Sequence, residues 1–257
     1  MSEIMIITSG KGGVGKTTAA AAIGYGLAAA GKRTVLIDMD LGLRNLDVAL
    51  GLETQVFYHI GDVLKETVRP EDALVTAERY PNLMLLAAAQ SVKPGLVTEE
   101  SMRKLLDALS ETADVIIIDS PAGIGEYFRV IAPFADRGIV VTAPVVSAVR
   151  DADKVLHLLE EAGVRKRSVI VNGVRPELVR TGAMMQPADI TDVLGAELLG
   201  VIADDDAVIT AANEGKPVTG MKTPAGEACS RIVRRLLGED VPVPPLKNKK
   251  KGWFRRR

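Results

Sequence analysis

The sequence predicts a doubly wound α/β fold, a mostly parallel sheet with helices on both faces. Three observations carry this. Short aliphatic and β-branched runs recur along the 257 residues, apolar at consecutive positions, which implies burial on both faces of a parallel sheet. Helix-length stretches separate most of them, the alternation that builds βαβ units. The first run passes directly into a glycine loop and then an alanine-rich segment. Right-handed crossovers would gather the strand C-termini and their loops along one edge.

Taken in order, strands are expected at 4–7, 34–38 (TVLID), 83–87 (LMLLA), 114–118 (DVIII), 138–142 (GIVVT), 168–172 (SVIVN) and 198–202 (LLGVI). Helices are expected at 16–30, 99–111, 151–162, 187–195 and 224–237. The proline-dense Gly238-Glu239-Asp240-Val241-Pro242-Val243-Pro244-Pro245 closes the globular part and reads as a stiff, extended linker. The organisation expected is one body over 1–237, a linker over 238–246 and a basic tail over 247–257, without repeats or a second domain.

At 47% hydrophobic and 25% charged the composition is that of an ordinary globular protein. The lone Cys229 leaves no partner for an intramolecular disulfide or a paired-cysteine metal site, and points to a reducing, cytoplasmic home. No leader is visible before the first strand, and no apolar run reaches the ~18 residues that span a bilayer. The net charge of −1 is unevenly spread. Residues 247–257 hold seven Lys and Arg and no acid, so removing them leaves the body near −8. Such a tail asks for an anionic partner.

Gly10-Lys11-Gly12-Gly13-Val14-Gly15-Lys16-Thr17, followed by Thr18, fits GxxxxGK[ST] between a strand and a helix. This is the setting in which a glycine loop closes its backbone N–H groups on phosphate oxygens at a helix N-terminus. Lys16 would reach the β- and γ-phosphates of ATP, and Thr17 would offer its hydroxyl to Mg²⁺. A glycine turn that binds nothing is the bland alternative, and the full pattern in this context argues against it.

Acids end two of the apolar runs: Asp38 and Asp40 in LIDMDLGLRNLD, Asp119 in VIIIDSPAG. On the strand C-terminal edge they would face the glycine loop. A hydrophobic run ending in Asp is the pattern that holds Mg²⁺, often through water. Asp119 and Asp38 are therefore the metal-side candidates, and Asp40 is the candidate to orient the attacking water. An Asp after a strand also caps helices and starts turns.

KGGVGKTT resembles the deviant Walker A loop of the MinD/ParA family of ATPases, whose fold is the P-loop NTPase, SIMIBI-like one. IDMDLGLRNLDVALGLE, DSPAGI, FADRGIVVTAPVVSAVRDADKV and VLGAELLGVIADDDAVITAANEGKPV extend the resemblance over nearly the whole chain, and specifically to its septum-site-determining members. The resemblance implies that Lys11 crosses an ATP-dependent homodimer onto the partner's nucleotide. It places Ser120, Pro121 and Ala122 in a switch near the γ-phosphate, and Asn172 in the adenine-contacting region. It puts Arg150, Asp151 and Asp153 at the start of a helix that meets the septation inhibitor MinC and a MinE-like activator. The string GEYFRV after SPAGI departs from the family pattern.

Leu246, Trp253 and Phe254 would share one sector of a helix otherwise covered by lysine and arginine. KKKGWFRRR resembles the short membrane-targeting helix that ends such proteins. An anionic membrane surface on the inner face of the plasma membrane is therefore the expected partner, and nucleic acid is not. The function expected is ATP-dependent positioning of the division site. A ParA- or FlhG-like role in positioning DNA or flagella, and a nucleotide-binding adaptor without turnover, are the alternatives.

Overall fold

The computed structural model describes residues 2–42, 44–90, 93 and 95–246. The basic tail expected at 247–257 lies outside the described residues.

Eight strands form one sheet: β1 (Glu3–Thr8), β2 (Thr34–Asp38), β3 (Val75–Ala77), β4 (Tyr80–Leu86), β5 (Val115–Asp119), β6 (Arg137–Thr142), β7 (Lys166–Val174) and β8 (Glu197–Ala203). The helices are α1 (Lys16–Ala29), α2 (Leu46–Leu50), α3 (Ile60–Leu64), α4 (Pro70–Ala73), α5 (Glu99–Ser110), α6 (Glu126–Ile131), α7 (Val146–Glu161), α8 (Pro176–Arg180), α9 (Pro187–Leu194), α10 (Asp206–Asn213) and α11 (Pro224–Leu236). The strand order is β3-β4-β2-β5-β1-β6-β7-β8. Every neighbouring pair is parallel except the β3–β4 hairpin at one edge.

Consecutive apolar residues in each strand feed two different cores, because successive side chains point to opposite faces. Met5, Ile7, Leu36, Ile117 and Ile139 pack with α1 and α11. Ile6, Val35, Ile37, Ile116, Ile118 and Val140 pack with α5, α6, α7 and α9. Truncating any one of these to alanine would cost about 2–5 kcal/mol. Helix α1 is buried on most of its circumference, with Ala19, Ala20, Ala21, Ala22, Ile23 and Leu27 all in the core. Small side chains let it lie close to the sheet, which brings the start of the helix directly over β1 and β5.

The expected strands and long helices are present. The antiparallel β3 and the short helices α2, α3, α4, α6, α8 and α10 are additions. Helix α7 begins at Val146 and not at 151. Val145 is extended and precedes the helix, whose buried positions include Ala148 and Val149. In the divergent GEYFRV stretch, Phe128 is almost completely buried, so that segment serves the core.

Candidate nucleotide site

The sheet register assembles the site. Ile7 pairs with Asp119, and Asp38 pairs with Asp119, so the ends of β1, β5 and β2 lie side by side. Two acids and the glycine loop thus share one edge.

The loop is clamped at its ends and open in its middle. At Gly10 an added Cβ would fall 2.4 Å from the backbone of Asp151 in α7. Gly15 adopts φ +90, a left-handed conformation that favours glycine, and a Cβ there would meet Asn172 Nδ2 at 2.2 Å. Asn172 Nδ2 instead donates to Val14 O at 2.8 Å. It can reach because β7 and β8 lose register between Val171 and Val174, with Gly173 left-handed, which is a bulge that re-aims the side chain. Around Gly12 and Gly13 a Cβ would meet nothing within 4 Å. Ser9 reinforces the turn: its Oγ donates to Lys11 O at 3.0 Å, and its carbonyl accepts from Gly123 N at 2.8 Å.

Lys16, at the start of α1, is buried and bonded. Its Nζ donates to Asp119 Oδ1 at 2.5 Å, and Thr17 Oγ1 donates to Asp119 Oδ2 at 2.7 Å. Asp119 is fully buried, and burial pushes its carboxyl pKa up, opposed by the Lys16 charge and by hydrogen bonds from Lys16 and Thr17. Asp38 is pushed up to about 7, first by burial and then by Asp119, against two backbone hydrogen bonds that favour its anion. Those bonds come from Asp40 N at 2.9 Å to Oδ1 and Leu46 N at 3.1 Å to Oδ2. In this structure Asp38 therefore fixes the backbone at Asp40 and at Leu46. Asp40 is half-buried, and its charge is felt by Asp119.

Lys11 is different. It is half-exposed, and its Nζ makes one 3.4 Å contact with Ser147 Oγ at the start of α7. Ile124, Val145 and Val146 are exposed, the last by 66%.

A sequence model described as the CobQ/CobB/MinD/ParA nucleotide binding domain matches residues 5–218. The septum site-determining protein MinD of Synechocystis is 46% identical over 94% of this chain and 92% of its own length. The chain belongs to the MinD family. Its fold matches MinD in the MinC:MinD cell division protein complex of Aquifex aeolicus, with TM-score 0.87 and 43% identity over 95% of this chain and 98% of that one. It also matches Pyrococcus horikoshii MinD complexed with Mg-ADP, with TM-score 0.81 and 28% identity over 92% and 96%. As a MinD-family protein the chain is a nucleotide-binding ATPase-fold protein of the septum-site-determining type.

Among the MinD-family candidates read from sequence, the structure brings together Lys16, Thr17, Asp119, Asp38 and Asp40. Asn172 meets the loop through the Val14 carbonyl. Ser120 is buried beside them, its N–H bonded to Ile7 O at 3.0 Å. Arg150, Asp151 and Asp153 lie in the second turn of α7, where the Asp151 backbone packs on Gly10 and Arg150 is exposed. Sequence reasoning missed the pair Arg44–Asp47. Arg44 Nη2 lies 2.5 Å from Asp47 Oδ2, and the buried Asp47 fixes the segment that Asp38 also holds. The RxxD spacing was its only signal.

Proposed function

We propose that this chain is a Mg²⁺-dependent ATPase switch that dimerises on ATP, binds an anionic membrane through its tail and recruits a MinC-type septation inhibitor to positions where division must not occur. The single observation that carries the chemistry is the cluster of Lys16, Thr17 and Asp119 at the start of α1, beside an open stretch of glycine backbone.

The donor set suits a magnesium nucleotide. Thr17 and Asp119 present an oxygen pair, and Mg²⁺ is held by one or two protein oxygens while phosphate and water supply the rest. The metal would neutralise charge on the phosphates. The chain's own groups do the remainder. Lys16 exchanges its bond to Asp119 for phosphate oxygens, and the N–H groups around Gly12 to Gly15 cradle them. Asp40 orients a water toward the γ-phosphorus. The new P–O bond forms as the bond from that phosphorus to the β–γ bridging oxygen breaks, giving ADP, phosphate and a proton. Positioning and charge dominate such a transfer, so Asp40 need not be a strong base.

Lys11 and the exposed apolar residues beside it support the dimer. The ammonium has no carboxylate partner among the described residues; it contacts Ser147, next in sequence to the exposed Val145 and Val146, which with the exposed Ile124 are apolar surface suited to burial against a second copy. The membrane reading rests on the tail's composition and on the family. No helix among the described residues is long and apolar enough to cross a membrane. Full-length similarity to septum-site proteins favours this reading over DNA or flagellar positioning.

The test is sizing and vesicle sedimentation with Mg-ADP, Mg-ATP and a non-hydrolysable analogue. Dimer and vesicle binding appearing with ATP or the analogue, and phosphate release stimulated by lipid and partner, is the expected result. A protein that stays monomeric when saturated with the analogue, or whose turnover answers to DNA and not to lipid, rejects it.

A further inference from the structure

The linker after α11 is not a free spacer. Arg235 spends its guanidinium on backbone carbonyls: Nε donates to Val241 O at 2.5 Å, Nη2 to Pro242 O at 2.7 Å and Nη1 to Leu199 O at 2.7 Å. The first two belong to the linker and the third to β8, so one side chain ties the linker to the edge strand. Arg234 adds a salt bridge to Glu239 at 2.7 Å. β8 is the outermost strand of the sheet. Proline cannot donate to a ladder, so a proline-dense segment fixed beside β8 also guards that edge.

The linker's end can be placed. Leu246 packs against the core and, with Pro244 and Pro245, lines cavities that also touch Val201 of β8. One of these, about 290 Å³, is also lined by Lys222, Glu227 and Arg231. The same residues, with Ser230 and Arg234, line an adjoining surface cleft of about 300 Å³, in which three cations face the one carboxylate of Glu227. Leu246, the residue that precedes the seven basic residues of 247–257 in sequence, therefore shares a cavity with Lys222 and Arg231. Arg231 lies 3.5 Å from Glu227 and Arg234 is held by Glu239, while Lys222 is exposed with no ion-pair partner among the described residues.

We propose that the β8–α11 edge of the body lies against the bilayer, with Lys222 and Arg231 meeting the phosphate headgroups of anionic lipid where the docked linker hands over to the tail. The proposal deepens the membrane reading above and rests on it. Its argument is continuity. The Arg235 bonds fix the linker against β8, so the chain leaves the body at the β8–α11 edge and that edge is the part of the body nearest the tail's root. A body with net charge near −8 would be repelled from an anionic surface over most of its area. The cleft beside the root, where cations outnumber acids and Lys222 has no carboxylate partner among the described residues, is where it can approach. The docked linker also shortens the flexible tether to the tail, which raises the effective concentration of the second tail in a dimer.

The experiment is sedimentation of the full chain, with Mg²⁺ and a non-hydrolysable ATP analogue, on phosphatidylcholine vesicles containing about one-third phosphatidylglycerol, the anionic component that basic residues sense. The variants are Lys222→Glu, Lys65→Glu at the opposite end of the sheet as a matched charge reversal, and a chain lacking 247–257. Lys222→Glu should bind at least about fivefold more weakly, since each basic residue near such a surface contributes that factor. Lys65→Glu should bind as wild type does, and neither should change ATP turnover without vesicles. Equal binding by wild type and Lys222→Glu, with binding lost on deleting the tail, overturns the surface and leaves the tail's role standing. Undiminished binding without the tail removes both. If Lys222→Glu weakens binding to a DNA duplex and not to vesicles, the surface is not a membrane surface.

Discussion

Lys16 and Lys11 come from one glycine loop, five residues apart, and the protein treats them in opposite ways. Lys16 is 6% exposed and bonded to a carboxylate that is not exposed at all. Lys11 is half-exposed and touches one hydroxyl at 3.4 Å. The difference follows from where each sits. Lys16 opens α1 and lies over the ends of β1 and β5, so its charge is stabilised chiefly by the buried Asp119, with Asp38 nearby. Lys11 lies earlier in the loop, just after Gly10, which is packed against α7. On the function proposed above, a lysine already held inside its own subunit would serve the nucleotide that the subunit binds. A lysine with weak local contacts can serve charge brought from outside.

The largest break in this comparison is Lys16→Ala. ATP affinity should fall at least ~100-fold, since both the phosphate contact and the charge are lost. Asp119 would be left buried and unpaired, which costs about 3–5 kcal/mol of stability. Adding Asp119→Asn should recover most of the stability and none of the binding. Calorimetry and urea unfolding measure the two effects separately. Recovery of both would mean that Lys16 acts on the fold alone.

Asp38 gives the next effect, as a pH dependence. Its pKa rises from an ordinary 3.8 to about 7 in the folded protein. The folded state therefore keeps this proton after the unfolded chain has lost it. Below about pH 4 the group costs nothing; as pH rises toward 7 stability falls, by on the order of 4 kcal/mol from this group, and then levels. Asp119 shifts in the same direction. Asp38→Asn should flatten much of the decline in the urea midpoint between pH 4 and 7, whatever it does to absolute stability, leaving the slope that belongs to Asp119. An unchanged slope would show that Asp38 is ionised throughout.

Gly15→Ala tests the clamp that separates the two halves of the loop. The methyl would meet Asn172 Nδ2 at 2.2 Å, in a backbone conformation with φ +90. A loss of about 1–3 kcal/mol is expected from the backbone strain alone. Adding Asn172→Ala removes the clash and not the strain, so it should recover only part of the loss, read as melting temperature and nucleotide affinity.

The contrast between residues also shows what a sequence can reveal. The strands, the glycine loop and the acids at strand ends were legible because each is local: an apolar run, a fixed spacing, a charge where the run stops. Placing Asp38 beside Asp119 needed only parallel strands, since register does the rest. Asn172 was found by resemblance, and its bond to Val14 depends on a bulge that no pattern announces. The linker was read as extended from its prolines, while its docking depends on one arginine of α11 reaching three carbonyls of distant chain. Helix α7 starts five residues before the expected 151: Val145 is the extended N-cap, Val146 opens the helix while exposed, and the buried Ala148, Val149 and Ala152 hold its first turns on the sheet.

Lys11→Ala should have the smallest effect on a single subunit and so sharpens the comparison most. No buried group loses a partner, because the ammonium reaches only Ser147 Oγ at 3.4 Å. Stability should change by less than about 0.5 kcal/mol, as for surface substitutions generally. ATP affinity of the isolated subunit should stay within about threefold of wild type, since a half-exposed charge that is free to move adds little at high dielectric. What should disappear is pairing. Sizing with the non-hydrolysable analogue should show monomer, and lipid-stimulated turnover should drop at least about tenfold, the loss of one charge-assisted contact at a developing phosphate charge. A Lys11→Ala protein that still pairs and turns over normally would reduce the two lysines to one functional residue and one solvated neighbour, and the asymmetry of the loop would then concern packing alone.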